Sequence, residues 1–138
     1  MPKLLALDYG EKRTGVAVTD DSKIIASGLT TIETKDIFRF LETYFKMNDV
    51  TDIILGLPKG LDGSPTHSSA AVEELRIKLE GSFGKPVHMV DERFTSKMAF
   101  QTMIDSGMSK KQRKNKAMID EISATIILQS YMQGLTYL

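Results

Sequence analysis

Apolar and polar positions divide the chain into a run of short β-like segments followed by segments of helical spacing. Lys3 to Asp8 reads as a buried strand that ends on an acid, and Gly15 to Thr19 (GVAVT) reads as a second. Gly10 and Gly15 bracket a tight connection between them. Ile24 to Ala26 and Leu29 to Ile32 continue as β material punctuated by Gly28. Connections this short have no room for a crossover helix, so these strands are expected to pair antiparallel. From Asp36 to Met47 the pattern changes, with Ile37, Phe38, Phe40, Leu41, Tyr44 and Phe45 at helical spacing. Asp52 to Gly56 is a compact strand, and after a loop holding Gly60, Gly63 and Pro65 a second helix runs from Ser68 to Leu79. Pro86 to Val90 forms the fifth strand and leads into Asp91-Glu92-Arg93. Thr95 or Ser96 can cap a helix reaching about Asp105 and closed by Gly107, and Ala117 to Gln133 forms the last helix.

The order β-β-β-α-β-α-β-α-α predicts an α/β fold. Its five-stranded mixed sheet has three antiparallel strands followed by parallel βα units, with helices on its faces. With 138 residues and no repeat or linker, residues 1–138 are expected to form a single domain with a core of its own. The chain has no cysteine, which removes disulfides, thiolate metal sites and cysteine nucleophiles from consideration. The apolar run Leu4 to Leu7 is too short for a signal peptide or a membrane span. A cytoplasmic protein with no membrane partner is therefore expected.

Three acids stand out against this frame. In an open α/β sheet, ligands gather beyond the carboxyl ends of the parallel strands. Asp8 ends the first strand and Glu92 follows the fifth, so parallel strands would bring both to one edge. Asp8 alone could be a turn former before Tyr9-Gly10. Asp120 is harder to dismiss, because on the last helix it lines up with Ile127 and Tyr131 inside the apolar arc. A buried carboxylate costs several kcal/mol unless it is paired or bound to metal, on the order of ten times the dipole benefit of an acid in a first turn. Three carboxylates from separate elements suit a hard cation, Mg²⁺ or Mn²⁺, which keeps open positions for water and phosphate oxygens. Histidine chemistry is less well served, since His67 reads as a loop residue, His88 as a strand residue, and the two have no common spacing.

Charge adds a second theme. The chain is neutral overall, with 18 basic and 18 acidic residues, yet Lys110, Lys111, Arg113, Lys114 and Lys116 put five positive charges into seven positions. Lys12 and Arg13 form a smaller group just after Asp8. A solvated charge run is the ordinary reading of such a stretch. Its closeness in sequence to Asp120 raises the alternative that it cradles a nucleic-acid backbone, held without sequence readout. Arg93 is expected either to join these contacts or to anchor a neighbouring carboxylate.

Four segments in order resemble one family. Asp8 to Ala17 (DYGEKRTGVA) resembles the DxGxKRxGVA opening of the YqgF/RuvX family, and Gly56-Leu57-Pro58 with Asp62-Gly63 resembles its GLP…DG loop. Asp91 to Ser96 (DERFTS) is similar to its DERxT[ST] segment, and Lys116 to Gln129 (KAMIDEISATIILQ) to its closing helix. Two places depart from the pattern: Ser123 stands where the family usually has Ala, and Ser64-Pro65-Thr66-His67 replaces a GT-containing loop.

The resemblance implies an RNase H-like fold akin to Holliday-junction resolvases, with Asp8, Glu92 and Asp120 as catalytic and metal-binding acids. It also implies a nuclease that matures the 5′ end of small-subunit ribosomal RNA. Branched DNA is the alternative substrate, and a non-catalytic nucleic-acid-binding factor is the alternative class. An actin- or hexokinase-like ATPase shares D-x-G after a first strand, but holds its nucleotide between two such domains. A monomer and a homodimer are both compatible with the sequence.

Overall fold

The computed structural model describes residues 3–20, 26–57, 67–91 and 116–137. Five strands, β1 (Lys3–Asp8), β2 (Arg13–Thr19), β3 (Ala26–Glu33), β4 (Val50–Leu57) and β5 (Val87–Asp91), form one sheet in the order β3-β2-β1-β4-β5. The first three pair antiparallel, whereas β4 runs parallel to β1 and β5 parallel to β4. Asp8, Leu57 and Asp91 are the last residues of the three parallel strands and share one edge of the sheet.

Three helices are described: α1 (Ile37–Met47), entered through a 3-10 turn at Thr34–Asp36, α2 (His67–Phe83) and α3 (Lys116–Tyr137). Helix α2 stops at Gly84, whose φ of 64° and N–H donation to the Glu80 carbonyl form a left-handed C-terminal cap.

The mixed sheet and the antiparallel opening agree with expectation, and most elements extend beyond their apolar signal. Strand β2 begins at Arg13 rather than Gly15, and His67 opens α2 instead of lying in a loop. Periodicity marks only the packed part of an element, so a polar first turn or strand end escapes it. The helix expected at 95–105 lies outside the described residues.

Alternation along the strands divides the core in two. Leu5, Leu7, Val16, Ile53 and Leu55 face α1 and α2, where Ile37, Leu41, Val72, Leu75 and Leu79 complete a cluster of large side chains. Phe83 stacks with Phe38 and meets Phe45 edge-on, joining the two helices. Leu4, Ala6, Ala17 and Ile54 face the other way, toward Ala124, Ile127 and Leu128 of α3.

A candidate metal and nucleic-acid site at the carboxyl end of β1

Asp8 continues the alternation of Leu4 and Ala6 and so faces α3. Its partner across the antiparallel ladder is Gly15, and opposed residues share a face. A Cβ at Gly15 would fall inside the van der Waals envelope of the Asp120 backbone carbonyl and 3.1 Å from the Asp120 Cβ. Only a residue without a side chain allows α3 to lie this close. Asp8 and Asp120 therefore both border Gly15 on the α3 face of the sheet. Gly28 on β3 repeats the device at the next residue of α3, where a Cβ would be 3.3 Å from that of Glu121.

Asp120 is the fifth residue of α3, and the first turn of that helix holds no acid. The helix-dipole explanation of its presence on the apolar side therefore does not apply. Its Oδ2 accepts a hydrogen bond of 3.2 Å from Arg13 Nε, in a pair with side-chain exposures of 41% for Arg13 and 23% for Asp120. Arg13 opens β2 two residues before Gly15 and shares its face. The sequence grouped Arg13 with the nucleic-acid-binding cations, and the structure commits its guanidinium to an acid. The only advance sign was the two-residue spacing from Gly15, unreadable until the docking of α3 is known.

The turn before β2 is fastened from the opposite face. Thr34 donates its backbone N–H to the Lys12 carbonyl at 3.0 Å and its hydroxyl to the Gly10 carbonyl, while the buried Thr14 hydroxyl lies 2.9 Å from the Thr34 hydroxyl. Lys12 is held in this turn with its side chain exposed. Neither threonine carried a sequence signal, because a hydroxyl that braces a turn resembles any strand threonine.

Asp91 ends β5 on the same edge as Asp8. Glu92, Arg93, Lys110, Lys111, Arg113 and Lys114 lie outside the described residues. Among the described residues, no three His, Cys, Asp or Glu side chains form a group able to hold a metal ion.

A second polar group occupies the other end of α3. His88 Nε2 is 2.7 Å from Asp52 Oδ2, and the His88 ring lies against Tyr131 at 5.0 Å between centroids. Burial pushes the Tyr131 phenol above its usual range, and the Asp52 charge adds to the shift. Asp52 is in register with Leu4, four residues before Asp8, or about 13 Å along the strand. These residues join α3 to the sheet away from the acids.

A mixed sheet in this order with helices on both faces defines the class: the RNase H-like fold of resolvase-type nucleases. The RuvX family, described as Holliday junction resolvase, matches residues 2–134, and the chain belongs to it. A protein of Flavobacterium psychrophilum named "Putative pre-16S rRNA nuclease" is 54% identical over 133 residues, spanning 96% of this chain and 97% of its own. A protein of Christiangramia forsetii with the same name is 53% identical, over 96% of this chain and 98% of its own.

Among solved structures, the fowlpox virus resolvase with its Holliday junction DNA superposes with a TM-score of 0.61 at 16% identity, covering 96% of this chain and 98% of that one. RuvC of T. thermophilus in complex with a Holliday junction gives 0.56 at 12% identity, covering 98% and 96%. At such identities the likeness speaks for the fold. Among the described residues, no helix is long and apolar enough to cross a membrane.

Proposed function

We propose that this protein is a divalent-cation-dependent endonuclease that hydrolyses phosphodiester bonds in the 5′-end maturation of pre-16S rRNA. The observation that supports this reading is the docking of α3 on Gly15, the ladder partner of Asp8 at the carboxyl end of the central strand, with the Asp120 backbone against it. The donor set fits the cation. Carboxylates on a strand end and on a packed helix are hard oxygen donors that leave room for water and phosphate, as Mg²⁺ and Mn²⁺ require. Glu92, next after the last residue of β5, supplies the third acid in this scheme.

A bound cation contributes Lewis-acid stabilisation of the phosphoryl oxygens and a water of lowered pKa. The chain's own part is to orient. Asp8 is fixed by a central strand and Asp120 by a helix that cannot approach more closely, so neither carboxylate depends on loop order. Lys12, Arg13, Arg93, Lys110, Lys111, Arg113 and Lys114 take the phosphate backbone in this reading, with binding that weakens steeply as salt rises.

The test is incubation of a 16S rRNA precursor bearing its 5′ extension with the protein and Mg²⁺ or Mn²⁺. Cleavage should stop on chelation. Asp8→Asn and Asp120→Asn should each slow it by more than the roughly 10–100-fold typical of residues that merely support a metal site. Undiminished cleavage by both variants removes the site.

The family description favours branched DNA as the second reading. A four-way DNA junction under the same conditions separates the two. Paired nicks require two active sites, so a strictly monomeric protein argues against it. Precursor binding that survives chelation and both substitutions, without cleavage, would instead mark a non-catalytic binding factor.

A further inference from the structure

The Arg13–Asp120 pair sits where the proposed cation site needs a carboxylate. Arg13 Nε engages Asp120 Oδ2, and a lone pair held by a guanidinium is not available to a divalent ion. Two positive centres at one carboxylate also repel. The backbone that carries Arg13 is tied down, because the preceding turn is fastened through Thr34 to the Lys12 and Gly10 carbonyls. The side chain is not enclosed. With 41% of it exposed, the guanidinium can leave Asp120 without any strand moving. A guanidinium displaced at this edge would face the phosphates of a bound strand, for which its planar donor fork is suited.

We propose that Arg13 is a positioning residue that acts through Asp120: it holds the carboxylate before cation binding and passes to a substrate phosphodiester when the cation takes that carboxylate. This rests on the cation site described under Proposed function. It makes cation and phosphodiester binding mutually reinforcing, since each favours the released state of Arg13. A purely structural ion pair predicts no such coupling.

The experiment is Mn²⁺ titration calorimetry without nucleic acid on the wild type, Arg13→Gln, Arg13→Lys and Asp120→Asn. It is accompanied by the Arg13 Nε–Hε NMR signal of the wild type during Mg²⁺ titration. Arg13→Gln should bind Mn²⁺ about three- to tenfold more tightly, the size expected for removing a partly exposed competing charge. Arg13→Lys, which keeps the charge, should stay near the wild type, and the Nε–Hε signal should shift as Mg²⁺ saturates. Equal or weaker Mn²⁺ binding by Arg13→Gln, or an unmoved Nε–Hε signal, overturns the proposal and leaves the cation site standing. Wild-type Mn²⁺ affinity in Asp120→Asn would remove that site itself, and the proposal with it.

Discussion

The two faces of the sheet are packed by different means, and the difference bears on function. Toward α1 and α2 the strands present Leu5, Leu7, Val16, Ile53 and Leu55, and aromatic rings fill the gap beyond them. Toward α3, Leu4 and Ile54 are joined by the small residues Ala6, Gly15 and Ala17, with Gly28 beside them on β3, and there the helix backbone comes down to the sheet. Large side chains fill space and contribute stability through buried area. Small ones set a short distance, which lets the backbone of α3 at Asp120 lie against the strand at Gly15. The thick face holds the molecule together, and the thin face fixes its geometry.

Gly15→Ala should have the largest effect. The added methyl meets the Asp120 backbone carbonyl, not the end of a flexible side chain, so α3 or β2 must shift. Overpacking of this kind usually costs about 1–3 kcal/mol, and a backbone obstacle belongs at the upper end. A displacement near 1 Å between reacting groups can cost about a hundredfold in rate, so precursor cleavage should fall much further than the melting temperature suggests. Thermal melts and cleavage rates on the same preparation check both. A fully active Gly15→Ala would break the link between the thin face and the site.

Leu41→Ala probes the thick face in the same terms. Leu41 is fully buried on α1 within the large-residue cluster, and the truncation should cost about 2–5 kcal/mol. Because none of the described site residues belongs to its cluster, cleavage per folded molecule should stay near the wild type at temperatures where the variant is folded. Denaturant unfolding gives the first quantity, and active-fraction-corrected rates the second. A loss of rate matching that of Gly15→Ala would show that the two faces are not separable.

The sequence made these faces unequally legible. The thick face was visible as Ile37, Phe38, Leu41 and Phe45 at helical spacing, because apolar periodicity is created by burial of large side chains. On the thin face, Asp120 was legible as an acid in an apolar arc and Asp8 as an acid at a strand end. The close approach of α3 to β2 was not, since it depends on a side chain that Gly15 lacks. The pairing of Arg13 with Asp120 was hidden for the same reason: a basic residue beside a phosphate-binding candidate reads as a substrate contact alone until a partner helix is seen above it. His88 was discounted for chemistry, and nothing along the chain linked it to Asp52, 36 residues earlier. Pairings of this range are set by strand register, which no local pattern encodes.

The smallest effect is expected at Ser123, where the thin face carries a polar group that its packing does not use. Ser123 is buried on α3, and its Oγ has no hydrogen-bond partner among the described residues. An unpaired buried hydroxyl costs about 1–3 kcal/mol, while an alanine fills nearly the same volume without one. The small side chain meets the need for close approach, and the hydroxyl adds nothing to it. Ser123→Ala should therefore raise stability by about 1 kcal/mol, read as a higher denaturant midpoint with an unchanged slope. A lower midpoint would mean that the hydroxyl is bonded in solution. Close packing on this face would then depend on polar contacts as well as on small side chains.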